Sequence, residues 1–256
     1  MRLIKGLGYL IIVVLLTIIT QVGGLIWLIS LWVAHSRRWK MRYVFPILYL
    51  ICNIVIVPPL ASALGRVPLP TFNENLKPRN IIYPLLFRNY VDPDLKDMLV
   101  ETSKHQSINI TYLDACFPFI DGFPLLPHLS HSDGKKVDIS FMYLDKNKNK
   151  TDKKPSLSGY GVFANPENNR TASRCISQGH WQYDYNKYAS FGTLHQLYLD
   201  KNGTRLLVKQ LLSHREIQKI FLEPHIKQTL GLTNSKVRFH GCQAVRHDDH
   251  IHLQIK

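Results

Sequence analysis

Apolar residues crowd the first quarter of the chain and are periodic in the rest. Leu7 to Val33, LGYLIIVVLLTIITQVGGLIWLISLWV, carries no charge and exceeds the ~20 residues that a helix needs to span a bilayer. Val44 to Leu64 is a second uncharged run of spanning length. Pro58 and Pro59 should break its last turns, and Asn53 weakens it. The pattern predicts two transmembrane helices.

Beyond them, Arg66 to Pro84 is Pro-rich and reads as an extended linker. Asp92 to His105 predicts a helix, with Asp92 as N-cap, Pro93 at the first helical position and Leu95, Met98 and Leu99 as its apolar stripe. Alternation of Ile108, Ile110 and Tyr112 predicts a strand. So does Val137 to Leu144, with Val137, Ile139, Phe141 and Tyr143 on one face and Asp138, Ser140 and Met142 on the other. Cys116 to Lys136 is rich in Pro and Gly and reads as a long loop. HQLYLD and TRLLVKQLL flank Lys201-Asn202-Gly203, which suits a hairpin or a strand followed by a helix. Ser213 to Gly231 predicts a short helix, a strand over KIFLE and a helix closed by Gly231. HIHLQIK closes the chain as a strand. The expected fold is α+β, a small antiparallel sheet with flanking helices, preceded by the two transmembrane helices. Residues 1–65 form the anchor, 66–90 the linker and approach, and 91–256 the domain.

Charge sharpens this division. Met1 to Gly65 contains no Asp or Glu, and all 18 acidic residues follow it. The net charge is +14, of which +8 belongs to the part after the anchor. Arg37, Arg38, Lys40 and Arg42 lie between the apolar runs, beside Trp39 and Tyr43. Cytoplasmic loops collect Lys and Arg, so this loop is expected in the cytoplasm, with the amino terminus and the body outside. The Ala61-Ser62-Ala63 pattern also suits signal-peptide cleavage after Ala63. A basic exported body suits anionic partners. A nucleic-acid binder would explain the charge but not the two spans.

Of four cysteines, Cys116, Cys175 and Cys242 lie in the body, so one pair at most can form there and one thiol is left over. Asn109, Asn149, Asn169 and Asn202 each begin an N-x-T triplet, a weak glycosylation signal in an Asn-rich chain. His180, Trp181, Tyr183, Tyr185 and Tyr188 suit either a binding groove or packing beneath a long loop.

The chemistry-bearing residues gather in RHDDHIH, Arg246 to His252. On a strand, His250 and His252 share a face and Ile251 takes the other. Such a pair is more often incidental than metal-binding. A catalytic zinc needs three protein ligands and an open position. A second polar cluster, PHLSHSDGKKVDIS, offers His131 and Asp138, with Gly134 able to turn the loop back. Asp138 in an otherwise apolar strand needs a partner; a metal, an arginine or a turn would each provide one. Asp249 suits orienting a histidine, Asp248 reads as solvated, and His128 suits either an auxiliary role or solvation.

The motif SHSDGKKVDI followed by HDDHIHLQI resembles the penicillin-insensitive murein endopeptidases, within the lysostaphin-type, D-Ala-D-Ala and hedgehog-like zinc peptidases. The family pattern is S-H-x(6)-D and then H-x-x-H-x-H, in this order. The likeness covers roughly Asn109 to Lys256 and leaves out the anchor. It implies Zn2+ ligated by His131, Asp138 and His252, with His250 and His247 beside it in catalysis. It further implies hydrolysis of D-alanyl cross-links in peptidoglycan stem peptides, here on the extracytoplasmic (periplasmic) side of the cytoplasmic membrane. Alternatives on the same scaffold are a D,D-carboxypeptidase or dipeptidase, or a non-catalytic cell-wall-binding module. The absence of a nearby glutamate in sequence favours the endopeptidase, and survival of His247 and His250 favours catalysis.

Overall fold

The computed structural model describes residues 2–105, 108–164 and 170–256. The apolar leader is not two long helices. α1 (Arg2–Thr20) ends at a sharp reversal, and α2 (Gly23–Arg37) folds back on it. The reversal follows from TQVGG. Thr17 and Thr20 turn their hydroxyls onto the carbonyls of Val13 and Leu16, and Gly23 N–H donates to Thr20 Oγ1 at 2.7 Å. Gln21 takes a left-handed φ of 67°. A Cβ on Gly24 would lie 2.6 Å from the Val13 carbonyl oxygen, so the two helices approach backbone to backbone only because that atom is missing. Gln21 also ties the turn to the body: its side chain accepts from Phe119 N–H at 2.8 Å.

The second apolar run is continuous. α3 (Met41–Ile51), a π-helical turn (Cys52–Ile56) and α4 (Val57–Ala63) follow without a break. Pro58 and Pro59 directly follow the π-helical turn, which takes up the local change in the hydrogen-bond ladder, so they do not end the helix. Among the described residues, Met41–Ala63 is the one helix long and apolar enough to cross a membrane. The expectation of two such helices is therefore corrected to one, together with an α1–α2 hairpin.

Arg66 to Pro84 is not a free linker. It contributes β1 (Val67–Pro68), β2 (Leu76–Pro78) and the start of α5 (Ile82–Leu85). Leu69 and Leu76 are buried in the main core. β3 (Tyr90–Val91) pairs with β1. α6 (Pro93–Ser103) forms as predicted, with Asp92 Oδ1 accepting from Asp94 N–H at 2.9 Å. β4 (Ile110–Tyr112), β5 (Lys136–Ser140), β6 (Tyr143–Leu144) and β7 (Lys150–Thr151) follow. The strand expected over Val137 to Leu144 is thus divided between two sheets. α7 (Arg170–Ser177), a 3-10 segment (Trp181–Ser190) and β8 (Tyr198–Leu199) lead to α8 (Lys201–Ser213). Asp200 caps α8 by accepting from Gly203 N–H, so Lys201-Asn202-Gly203 is a helical first turn and not a hairpin. β9 (Ile217–Phe221), α9 (Pro224–Thr229), β10 (Val237–Arg238) and β11 (His250–Ile255) complete the chain. Ser213 ends α8, and His214 to Glu216 turn directly into β9, so the short helix expected there does not form.

The main sheet has six strands in the order β10-β9-β11-β5-β4-β2. It is mixed rather than antiparallel: β10–β9 and β2–β4 are parallel pairs, and the three central pairings are antiparallel. Val137, Ile139, Ile251 and Leu253 pack with Leu95 and Leu99 of α6 and Leu207 and Leu211 of α8. Period two then forces Asp138, His250 and His252 to the opposite face. A disulfide joins Cys175 to Cys242, and Cys116 is a free, buried thiol. Asn169 lies outside the described residues.

Candidate metal centre

The two central strands build the site. β11 and β5 are antiparallel, with His252 directly opposite Asp138 and His250 opposite Ser140. Cross-strand partners are close by construction. His252 Nδ1 is 2.9 Å from Asp138 Oδ1. The loop before β5 turns at Gly134, whose φ is +75°, and delivers His131. Its Nε2 stands 3.2 Å from Asp138 Oδ1 and 3.1 Å from His252 Nδ1. All three side chains are buried.

This group could hold a metal ion. Tautomers support the fit. His131 Nδ1 is 2.9 Å from the Ala115 carbonyl, which can only accept, so Nδ1 carries the proton and Nε2 offers its lone pair inward. With His252 Nδ1 turned to the site, Nε2 is the nitrogen that carries the proton, and it is buried without a hydrogen-bond partner. Three ligand atoms on zinc–ligand bonds of ~2.1 Å at tetrahedral angles lie about 3.4 Å apart. The observed separations of 2.9 to 3.2 Å are close to that.

Buried partners surround the triad. Tyr160 donates its hydroxyl to Asp138 Oδ2 at 2.8 Å and accepts from Asp114 N–H at 3.1 Å. Asp114 takes two hydrogen bonds from Arg88, at 2.6 and 2.7 Å, and lies 3.0 Å from His128 Nδ1. His128 is thus buried beside the site and not solvated. Burial would push the Asp138 carboxyl up, but the imidazoles of His131 and His250 hold it well below the usual carboxylate range. Burial pushes His252 down to about 4, against the pull of Asp138.

His250 lies on the same face as His252. Its Nε2 is buried without a hydrogen-bond partner, 3.6 Å from Asp138 Oδ1. Its Nδ1 is 2.5 Å from Asp249 Oδ1. Asp249 Oδ2 accepts from Gly161 N–H and from Asn186 Nδ2. Burial disfavours charge on His250, but Asp138 and Asp249 outweigh it and raise the ring to about 9. His247 lies 5.0 Å, ring to ring, from His250. Burial holds it well below the ordinary histidine value, and His250 adds to that.

Asp248 departs from the solvated role expected of it. It is buried and ion-paired with Arg246, which also reaches Asp184 at 3.0 Å. The neighbourhood of His247 also contains a glutamate, distant in sequence. Glu223 Oε1 accepts from His247 N–H at 3.2 Å, and Oε2 accepts from the Tyr183 hydroxyl at 2.6 Å. Burial raises this carboxyl to about 7. Tyr183 is therefore a packing residue, whereas Trp181 and Tyr188 are exposed.

The five residues singled out in the sequence, His131, Asp138, His247, His250 and His252, are brought together. Tyr160, Asp114, Arg88, Asn186 and Glu223 are additions from the structure. None lies in a local motif, although a buried Tyr or Asp beside a polar cluster is the kind of partner that P-H-L-S-H and H-D-D-H require. A cleft of about 600 Å³ adjoins the network, with His128 and Tyr160 in its wall beside Tyr83, Leu86 and Phe191. No family model matches this chain, and no curated protein matches it significantly.

Proposed function

We propose that the chain is a zinc-dependent murein endopeptidase that hydrolyses D-alanyl cross-link peptide bonds in peptidoglycan. The observation that carries this reading is the convergence of His131 Nε2, Asp138 Oδ1 and His252 Nδ1 from two distant sequence motifs onto one buried point. A zinc ion held there would supply a water of lowered pKa and a Lewis acid for the scissile carbonyl.

The chain's own groups divide the remaining work. Asp249, fixed by Gly161 and Asn186, orients the His250 ring through Nδ1 and leaves Nε2 free to take or return a proton. His247 stays neutral beside it and is the candidate hydrogen-bond donor to the oxyanion. Tyr160 and the Ala115 carbonyl hold ligands Asp138 and His131 in register. The cleft beside His128 and Tyr160 offers a seat for a stem peptide.

The leader supports a place on the membrane. Its helices expose Leu10, Leu25, Trp32, Ile54 and Leu60 to the surroundings, more apolar surface than a water-soluble face carries. α2 starts at the body and α3 returns to it, so the basic residues 37–42 lie at the far end, as a cytoplasmic loop would if the body is extracytoplasmic. The Cys175–Cys242 disulfide suits an oxidising compartment. Release of cross-link products from murein by the metal-loaded protein tests the proposal.

A further inference from the structure

The far end of the leader holds a groove that the hydrolase reading does not use. It lies where α2 ends and α3 begins and has a volume of about 550 Å³. Val33, Val44, Ile47 and Ile51 form its wall, and Arg38 and Lys40 stand at its mouth. Its lining therefore changes along its length, from aliphatic on the faces of α2 and α3 to cationic at the loop between them; Val44 is buried, and Ile47 and Ile51 are exposed to the surroundings.

The cations are uncommitted. Arg37, Arg38, Lys40 and Arg42 fall within six residues, and the first acidic residue of the chain is Glu74. Among the described residues, no carboxylate pairs with any of the four. Arg42 rests over the Tyr43 ring instead. Trp39 and Tyr43, both exposed at the same mouth, are the side chains that settle at headgroup depth. A water-filled groove would leave the aliphatic wall wet, and an apolar peptide would leave the cations unmatched.

We infer that this groove seats one anionic phospholipid, with its headgroup on Arg38 and Lys40 and an acyl chain along Val33, Ile47 and Ile51. Basic pockets between apolar helices bind such headgroups by this combination of charge and burial. The inference rests on the membrane placement proposed above and is independent of the hydrolase reading.

The test is native mass spectrometry of the full chain released from nanodiscs of equal parts phosphatidylcholine and phosphatidylglycerol. The expected result is a retained lipid enriched in phosphatidylglycerol on the order of tenfold. R38Q/K40Q, which changes exposed residues, should abolish the enrichment. Ile47→Trp, which fills the groove and keeps the charge, should abolish retention. Equal retention of both lipids, or unchanged preference in R38Q/K40Q, overturns the inference. Unchanged retention in Ile47→Trp reduces the effect to loop charge and overturns the seat. Failure of the chain to enter nanodiscs or float with vesicles of either composition overturns the membrane placement and the lipid site with it.

Discussion

His252 and Asp138 face each other across β11 and β5, and Nδ1 of one lies 2.9 Å from Oδ1 of the other. The pairing is set by sheet register, so two side chains separated by 114 positions are held together before any ligand arrives. His131 then closes the triad from the loop that enters β5.

Loss of any member should empty the site. His131→Ala, Asp138→Ala and His252→Ala should each bring zinc from about one ion per chain to background in atomic emission measurements on the dialysed protein, because two ligands do not retain the ion. Full zinc content in Asp138→Ala would contradict the ligand set.

If Asp138 binds zinc as proposed, Tyr160 would act on that ligand and not on the ion. Tyr160→Phe removes the hydroxyl that holds Asp138 Oδ2. Zinc affinity should fall about 10–100-fold with the fold unchanged, as for other outer partners of metal ligands. Competition with a chromogenic chelator measures it.

The His250 and Asp249 pair should separate binding from proton transfer. His250→Ala should leave zinc content intact and lower kcat about 10²–10⁴-fold. Asp249→Asn should do the same less severely, since Asn still accepts from Gly161 at one oxygen but no longer stabilises a charged ring.

Glu223 ties stability to pH. Its carboxyl, desolvated by burial, is raised from 4.5 to about 7 in the folded chain. The folded state therefore keeps a proton that the unfolded state loses above about 4.5. This contribution is complete below the unfolded value and is lost as pH rises through about 7. Glu223→Gln should be favoured over the wild type more at pH 8 than at pH 5. Urea midpoints at the two pH values report it, and an equal difference at both would contradict it.

The Cys175–Cys242 bridge spans a sequence separation of 67 residues, so its loss in Cys175→Ser/Cys242→Ser should cost about 4 kcal/mol by loop-closure entropy. Denaturant unfolding of the two forms measures the difference. The bridge anchors the segment leading to His247, so activity should fall with it.

The legible part of the molecule is what period and spacing encode. Alternation placed His250, His252 and Asp138 on polar strand faces, and the Asp92-Pro93 cap placed α6. What escaped depends on distance in the fold. Nothing adjacent to Tyr160 in sequence announces its bond to Asp138, and nothing links Glu223 to His247 except the neighbouring paths of β9 and β11. Asp248 reads as solvated because its burial comes from Arg246 and the 3-10 segment over it. In the leader, hydropathy sums apolar residues without weighing Thr17, Thr20, Gly23 and Gly24, the residues that reverse the chain. The opposite error arose at Pro58, where a π-helical turn takes up the change and the helix continues.

The most direct measurement is digestion of purified cross-linked murein by the zinc-loaded protein, with muropeptides resolved by mass spectrometry. The account predicts loss of D-alanyl cross-linked dimers and a matching rise in monomers, abolished by chelation and by Asp138→Ala. Unchanged dimers with fully zinc-loaded wild-type protein would contradict it, and so would cleavage that survives in Asp138→Ala.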